Sequence, residues 1–212
     1  MHEELPGWVP PDRGALFVVS GPSGVGKSTL VRAALAAIPR IRFSTSATTR
    51  AARPGEQDGV HYHFVDPERF AEMLAEGLFL EHATVYDRSY GTLREPTEQA
   101  LASGVSLLLD IDVQGSRQVR ERLPEAVHVF VAPPSYEELE RRLRARGTED
   151  DAVVAQRMAQ AAEQLRGCPA YDYLIVNDVL ELAHRTFQGI LLAELSRVER
   201  RRAQAERLAA LR

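Results

Sequence analysis

The sequence has almost no lysine and almost no cysteine. Lysine and arginine together number 26, yet Lys27 is the only lysine, so every other basic side chain of this kind is an arginine. A lysine that occurs once indicates a position where a compact ammonium group serves better than a planar guanidinium. Cys168 is also alone, which excludes an internal disulfide and is typical of a reducing compartment. We therefore expect a cytoplasmic protein.

The sequence also lacks a large net charge and a long apolar run. The formal net charge is −4 and the isoelectric point is about 5.9, which does not favour bulk binding to nucleic acid. No apolar run approaches the roughly 20 residues needed to cross a bilayer. Residues 1–13 carry acids and prolines rather than the basic and apolar segments of a signal peptide, and we expect them to form a flexible arm. The sequence thus predicts neither a nucleic-acid partner nor a membrane partner.

The segment around Lys27 fits the phosphate-binding loop pattern G-x-x-x-x-G-K-[ST]. Its residues are Gly21, Pro22, Ser23, Gly24, Val25, Gly26, Lys27 and Ser28, followed by Thr29. An apolar run at 16–19 precedes the segment and a helical pattern at 29–38 follows it, which is the context that the motif requires. Glycine lets backbone N–H groups converge on phosphate oxygens. We expect Lys27 to reach the β- and γ-phosphates of a nucleotide and Ser28 to bind Mg²⁺.

Apolar runs and helical stretches alternate along the chain, which indicates an α/β fold with a parallel sheet and helices on both faces. Four runs are typical of buried strands: 16–19, 105–109, 127–131 and 173–176. Two regions break the alternation and favour insertions on the core: the mixed segment 44–92 and the charged helical segment 133–168. The core then consists of three pieces: 14–43, 93–132 and 169–212.

The C-terminal part has one long helical pattern, from about Leu180 to Arg212. Leu191, Leu195 and Val198 recur at spacings of four and three, as in an amphipathic helix. The favoured interpretation is a helix packed on the core with a solvated tail that includes the arginines at 200–202. The alternative is a partner helix in a homo-oligomer.

A carboxylate follows the second apolar run and offers a metal ligand. Asp110 ends the run, and an Asp at the end of a strand beside the phosphate-binding loop can hold Mg²⁺ or its waters. Asp112 lies two residues further on and can face the ligand cleft. We therefore predict Ser28 and Asp110 as the metal site.

The rest of the chain narrows the classes of phosphate-binding protein. GTPases read guanine with an N-K-x-D segment, which this chain cannot contain because Lys27 is its only lysine. Large ATPases usually need a longer chain with coupling elements. A compact kinase is therefore favoured.

Nine separated blocks, taken in order, resemble the guanylate kinase family. They are GPSGVGKST at 21–29, STSATTR at 44–50 with RPGE at 53–56, DGVHYHF at 58–64, FLE at 79–81, YGT at 90–92, LDIDVQG at 109–115, APPS at 132–135, RLRARGT at 142–148 and IVND at 175–178. The resemblance spans residues 15 to about 190. It implies a P-loop kinase core, a GMP-binding subdomain at 44–92, a lid at 133–168, and transfer of a phosphoryl group from ATP to GMP with Mg²⁺ as cofactor.

The resemblance also implies how GMP is held. The family places Arg50, Arg53, Tyr62 and Tyr90 around the phosphate of GMP, where guanidinium groups can form paired hydrogen bonds. It places Glu81 at the guanine, with Ser46, Thr92 and Asp112 as further base contacts. A carboxylate can accept from both N1–H and N2–H₂ of guanine, and adenine would leave it partly unpaired.

The lid and the end of the last strand are implied on the ATP side. Arg142, Arg146 and Arg157 match family positions that close over the ATP phosphates and stabilise charge on the transferring group. Asn177 and Arg146 are implied near the adenine of ATP. The other arginines of the segment, Arg141 and Arg144, are typical of a solvated helix with i,i+3 and i,i+4 ion pairs.

Two alternative functions are compatible with part of the sequence. Another P-loop kinase, acting on a ribose bisphosphate or a different nucleotide, would not need Glu81, Thr92 and Asp112 together. A non-catalytic guanylate-kinase-like interaction module would tolerate the loss of Lys27 and the lid arginines, which are all present here.

Overall fold

A five-stranded parallel sheet forms the centre of the chain. The computed structural model describes residues 11–38, 40–85, 87–145 and 151–211. The strands are β1 (Leu16–Ser20), β2 (Ile41–Phe43), β7 (Ser106–Asp110), β8 (Val127–Ala132) and β9 (Tyr173–Val176). Their order is β2-β7-β1-β8-β9, with every neighbouring pair parallel. The four predicted strands and the α/β fold are confirmed, whereas β2 was not predicted.

Helices cover both faces of this sheet, as predicted. They are α1 (Lys27–Ala37) and α7 (Leu180–Leu195) on one face, and α3 (Arg94–Ala102) and α4 (Val113–Arg122) on the other. Strand β1 supplies Phe17 and Val19 to the core under α1 and α7, and Leu16 and Val18 to the core on the opposite side. Side chains alternate across a strand, so a strand buried on both faces is apolar throughout. No helix in the described ranges is long and apolar enough to span a membrane.

A second, four-stranded sheet is built from the region 44–92. Its strands are β3 (Ser46–Thr48), β4 (Tyr62–Phe64), β5 (Phe79–Val85) and β6 (Arg88–Leu93), in the order β4-β3-β6-β5. β3 and β4 are parallel and the other pairs antiparallel. Helix α2 (Pro67–Ala75) packs on this sheet through Phe70, whose ring stacks on that of Phe79 at 4.6 Å.

Asp66 fixes the start of α2. Its carboxylate accepts a hydrogen bond from the backbone N–H of Arg69 at 2.6 Å, and Pro67 occupies the first helical position. Both features are favoured at a helix N-terminus.

The charged region after Pro134 forms two helices with a small core of their own. They are α5 (Tyr136–Arg144) and α6 (Asp151–Arg166), and their shared core contains Leu139, Leu143 and Met158. Arg141 pairs with Glu138, and Arg144 pairs with Glu140 and Asp151, as expected for a solvated helix face. Arg146 lies outside the described residues.

The C-terminal part is not one helix, which corrects the prediction. α7 ends at Leu195, a short 3₁₀ turn follows at Val198–Arg201, and α8 occupies Arg202–Ala209. Leu191 and Leu195 are buried in the core, but Val198 is 69% exposed. The apolar stripe stops because the chain turns at Ser196, whose hydroxyl donates to the carbonyl of Leu192 at 2.7 Å. The packed-helix interpretation holds for α7.

Arg200 is not a solvated side chain, which is a further correction. Its guanidinium donates to the carbonyl oxygens of Gly14 at 3.3 Å and Glu125 at 3.4 Å. The described end of the N-terminal arm is also bound: the N–H of Asp12 donates to the carbonyl of Arg200 at 2.7 Å, and its carboxylate accepts from the N–H of Ala203 at 2.6 Å. Asp12 therefore joins the two ends of the chain. Residues 1–10 of the predicted arm lie outside the described residues.

Candidate functional site

The phosphate-binding loop connects β1 to α1. Gly21, Gly24 and Gly26 have φ angles of 148°, 87° and 96°, which favour glycine over other residues. A Cβ at Gly21 would lie 2.1 Å from the carbonyl oxygen of Val131 on the neighbouring strand β8. Gly26 precedes the first helical residue, Lys27, so the loop leads directly into the helix N-terminus. Backbone N–H groups and the helix dipole are thereby directed at the space above the loop.

Lys27 lies between the loop and the end of β7. Its Nζ donates to the carbonyl of Gly21 at 2.7 Å and lies 3.9 Å from a carboxylate oxygen of Asp110. Asp110 reaches this position because β7 is the immediate neighbour of β1, with Val19 opposite Asp110. Burial raises the pKa of Asp110, and the positive charge of Lys27 opposes this.

Ser28 and Asp110 are suitable ligands for a Mg²⁺ ion that is also bound by the phosphates of a nucleotide. The described residues contain no group of three or more His, Cys, Asp or Glu side chains that could hold a metal by themselves. Ser28 is exposed in the first turn of α1, and the Asp110 side chain is 26% exposed at the adjoining strand end. Mg²⁺ usually takes only one or two protein ligands alongside phosphates and water. One carboxylate and one hydroxyl therefore fit this ion.

Asn177 holds the backbone of the phosphate-binding loop through a side-chain hydrogen bond. It follows β9, is 5% exposed, and donates from Nδ2 to the carbonyl of Val25 at 2.8 Å. A Cβ on Gly26 would lie 2.4 Å from the same nitrogen. The structure thus places this side chain against the loop backbone, and its predicted contact with adenine stays a prediction.

A cavity of about 310 Å³ opens between the two sheets. Six of the residues predicted for the site line it: Ser46, Tyr62, Glu81, Tyr90, Asp110 and Asp112. Phe43, Ser44 and Ile111 line it too and were not predicted. Phe43 belongs to the unpredicted strand β2, so no sequence signal pointed to it, whereas Ser44 begins the STSATTR block. This cavity, which we call the acceptor cavity, brings the end of β7 together with the second sheet.

Glu81 is the buried acid of the acceptor cavity. It is 3% exposed on β5, where burial raises its pKa and hydrogen bonds from Thr92 oppose that effect. Thr92 lies opposite on β6 and donates to Oε1 from its backbone N at 3.1 Å and from Oγ1 at 2.6 Å. Ser46 Oγ is 3.4 Å from Thr92 Oγ1. The structure therefore brings three of the four predicted base contacts into one hydrogen-bonded group.

Asp112, the fourth, caps helix α4. Its Oδ1 accepts from the N–H of Gly115 at 2.8 Å. The same residue lines both the acceptor cavity and a second cavity of about 630 Å³, which we call the donor cleft. Asp112 therefore marks where the two spaces adjoin.

Two tyrosines line the acceptor cavity, and Arg50 packs against one of them without being part of the lining. Tyr62 and Tyr90 line it with ring centroids 6.2 Å apart. The guanidinium of Arg50 lies 5.3 Å from the centre of the Tyr62 ring, as in a cation–π contact. Arg53 is exposed and is not in the cavity lining.

Glu56 orients this group and was not among the predicted site residues. Its carboxylate receives two hydrogen bonds of 2.9 Å from Arg50 and a third from the backbone N–H of Arg53 at 2.7 Å. These contacts lower the pKa of Glu56 to about 2. Its position in the RPGE block was the sequence feature that could have identified Glu56 as a site residue.

The donor cleft lies between α6 and the start of α4, and Ser23 is the loop residue that lines it. Arg157 lines it and donates to Ser23 Oγ of the loop at 3.3 Å. Gln156, Gln160 and Gln164 line it at spacings of four residues, a polar stripe on α6 that could have been noticed in the sequence. Arg142 is not in the lining of this cleft; it donates to Glu138 at 2.7 Å and to the carbonyl of Asn177 at 2.9 Å.

Comparisons with known proteins show that the chain is similar to guanylate kinases. The guanylate kinase family model matches residues 13–194. The chain is 47% identical to guanylate kinase of Vibrio cholerae, with 91% of this chain and 94% of the relative covered. It is 52% identical to guanylate kinase of Sphingopyxis alaskensis, with coverage of 90% and 86%. The crystal structure of guanylate kinase from Anaplasma phagocytophilum superposes with a TM-score of 0.73 at 36% identity, with coverage of 95% and 97%.

Proposed function

This chain belongs to the guanylate kinase family and transfers a phosphoryl group from ATP to GMP, and we propose that its two adjoining cavities divide the substrates between them. One observation carries the proposal: Glu81 and Asp110 line the same cavity, and Asp110 lies 3.9 Å from Lys27. A base bound at Glu81 thus shares a cavity with the phosphate-binding loop. GMP would occupy the acceptor cavity, and the ATP phosphates would occupy the loop and the donor cleft.

Guanine recognition rests on Glu81. A buried carboxylate must be paired, because burial without a partner costs several kcal/mol. Thr92 donates hydrogen bonds to only one oxygen of Glu81, and guanine can donate to the carboxylate through N1–H and N2–H₂. Adenine offers an unprotonated N1 at that edge and would repel the carboxylate. Ser46 and Asp112 lie close enough to complete the contacts to the base.

The phosphate of GMP belongs at the opposite end, beside Tyr62 and Tyr90. Burial raises the pKa of Tyr62, so its hydroxyl stays a neutral donor. Arg50 adds positive charge behind the Tyr62 ring, held in place by Glu56. Arg53 would join through its exposed side chain when the substrate is bound.

The reaction needs no general base on the protein. An oxygen of the GMP phosphate, already ionised near neutral pH, attacks the γ-phosphorus of ATP, and the bond to the β–γ bridging oxygen breaks as ADP leaves. Lys27 would move from the Gly21 carbonyl to the phosphates and neutralise charge there. Arg157 would do so from the opposite wall of the donor cleft.

Mg²⁺, held by Ser28 and Asp110, would supply further charge neutralisation on the phosphates. Arg142 would complete the cation set if α5 moved toward the loop, and Asn177 would keep the loop backbone in place. Arg146 keeps its predicted role at the phosphates and the adenine. Closure of α5 and α6 and of the second sheet over both substrates would exclude water from the transfer.

Neither alternative function is favoured by a feature of the site. A ribose bisphosphate kinase has no need for the buried Glu81–Thr92 pair, and an interaction module has no need for Lys27 beside Asp110. The homo-oligomer stays a prediction: Leu191 and Leu195, which were its proposed contacts, are buried within this chain.

A nucleotide panel tests the function. The purified chain with Mg-ATP should form ADP rapidly with GMP and far more slowly with AMP, CMP or UMP. Equal rates with AMP, or no reaction with GMP, would contradict both the guanine-reading role of Glu81 and the assignment of the acceptor cavity.

A further inference from the structure

The two oxygens of the Glu81 carboxylate are used unequally. Oε1 accepts both hydrogen bonds from Thr92, at 3.1 Å and 2.6 Å. Within the described ranges, no residue donates a hydrogen bond to Oε2. Because Glu81 is only 3% exposed, Oε2 is an oxygen with unused acceptor capacity in a nearly dry site. It is therefore the oxygen best placed to accept a hydrogen bond from a bound base.

Gly115 lies directly against this oxygen. It belongs to the first turn of α4, and a Cβ there would lie 2.6 Å from Oε2 of Glu81 and 3.4 Å from its Cδ. The turn is fixed in place because Asp112 Oδ1 accepts from the Gly115 N–H at 2.8 Å. A methyl group at this position would thus clash with Oε2 of Glu81, and the backbone of Gly115 could not easily shift to relieve the clash.

The backbone gives no other reason for glycine here. Gly115 is helical and is not among the residues with positive φ. Glycine inside a helix costs about 0.5–1 kcal/mol relative to alanine. A Cβ there would also lie 3.3 Å from Cδ1 of Ile111, but the contact with Glu81 Oε2 is much the closest and accounts for the missing side chain.

We propose that Gly115 is a specificity-determining positioning residue, which sets the place of Glu81 Oε2 by having no side chain. The inference rests on the proposed guanine-reading role of Glu81. Alanine at 115 displaces Oε2 while Thr92 retains Oε1, so the carboxylate turns away from the edge of guanine. The atom that must move is the end of a flexible side chain, so the cost falls on GMP recognition rather than on the fold.

The test compares Gly115→Ala with a matched control, Gly189→Ala. Gly189 is also helical, in α7, and a Cβ there meets nothing within 4 Å. In the purified full chain, Gly115→Ala should raise KM for GMP about tenfold or more, the loss expected for one hydrogen bond to a charged group. Its preference for GMP over AMP should fall by a similar factor, and KM for ATP should stay within about twofold. Gly189→Ala should match the unsubstituted chain.

A double-substitution cycle shows whether the effect acts through Glu81. When Glu81→Gln has already weakened guanine reading, adding Gly115→Ala should change KM for GMP by less than about twofold. A full, independent increase would overturn the proposal, as would an unchanged KM for GMP in Gly115→Ala alone.

Three further outcomes separate the role of Gly115 from the guanine-binding role of Glu81. If Gly115→Ala does not fold, pairing it with Glu81→Asp should restore folding, because the shorter side chain removes the contact; failure to restore it would overturn the proposal. If Glu81→Gln leaves KM for GMP unchanged, the guanine-reading role itself is wrong. If Glu81→Gln raises that KM and Gly115→Ala does not, only the role of Gly115 is wrong.

Discussion

Lys27 and Gly21 are joined by a 2.7 Å hydrogen bond from Nζ to the carbonyl oxygen of the glycine. The ammonium group is therefore held over the loop by the first residue of the same loop. The carboxylate of Asp110 lies 3.9 Å from Nζ and attracts the charge toward the end of β7. A single lysine placed in this way can transfer from carbonyl to phosphate with little movement.

Replacing Lys27 should abolish most turnover. Lys27→Ala removes the cation, and Lys27→Arg replaces the compact ammonium beside the Gly21 carbonyl with a larger, planar guanidinium. We expect kcat to fall at least about 10²-fold in both variants, as when one preorganised donor is lost from a transition state. Arg32→Ala, which removes an exposed cation from the same helix, should leave kcat unchanged. A coupled ADP-release assay measures this, and retained activity in Lys27→Arg would contradict the role.

Neutralising Glu81 should affect GMP and spare ATP. Glu81→Gln keeps the shape of the side chain but replaces one acceptor oxygen with a donor NH₂, which faces the donors of guanine. KM for GMP should rise about tenfold to a hundredfold while KM for ATP changes little. Glu98→Gln, an exposed change on α3, is the matched control. Equal increases in both KM values would show that the residue stabilises the fold rather than reads the base.

Arg157 should contribute to kcat more than to binding. It lines the donor cleft and donates to Ser23 Oγ of the loop at 3.3 Å. Arg157→Ala should lower kcat about 10²-fold if its charge acts mainly in the transition state. Arg166→Ala removes an exposed arginine from the last turn of the same helix and should have no effect. A rise in KM for ATP with kcat intact would instead assign Arg157 to ground-state binding.

His128 should make the fold sensitive to mild acid. It is fully buried in β8, with Nδ1 2.8 Å from Ser116 Oγ, and its surroundings include Arg120, Asp172 and Tyr171. Burial, and then Arg120, lower the pKa of His128 to about 4, whereas Asp172 opposes this.

The sign follows from proton uptake. Between about pH 6.5 and pH 4 the unfolded chain binds a proton at this histidine and the folded chain does not, so stability falls as the pH falls through this window. The free energy of unfolding in urea should drop by about 1–3 kcal/mol more between pH 7.5 and pH 4.5 in the unsubstituted chain than in His128→Gln. His63→Gln should keep the full drop. The same drop in all three proteins would rule out His128 as the source.

The strands of the central sheet could be predicted because each is buried on both faces. Leu16–Ser20 and Val127–Ala132 are apolar almost throughout, and the glycine-rich loop after the first of them has its own signature. Strand β2 escaped prediction because Ile41–Phe43 is three residues long and includes an arginine, so its pattern carries no clear period. The C-terminal break was not predicted because the helical spacing of apolar residues continues to Val198, past the end of α7 at Leu195.

Some residues of the site could likewise be predicted from the sequence and others could not. The loop residues and Asp110 could be located from local spacing, whereas the guanine and phosphate contacts came from family resemblance. The pairing of Arg50 with Glu56 and the contact of Gly115 with Glu81 joined residues whose interaction no spacing rule indicates.

By itself, the sequence determined the phosphate-binding loop, the α/β class and the exclusion of lysine-dependent guanine motifs, because those depend on residues next to one another in the chain. Only the tertiary structure decided that Glu81 is buried, that Thr92 holds one of its oxygens and that Gly115 leaves room for the other. The physical reason is that the site forms where two sheets and a helix terminus meet. Distances between such elements depend on packing across the whole chain, which no local pattern records.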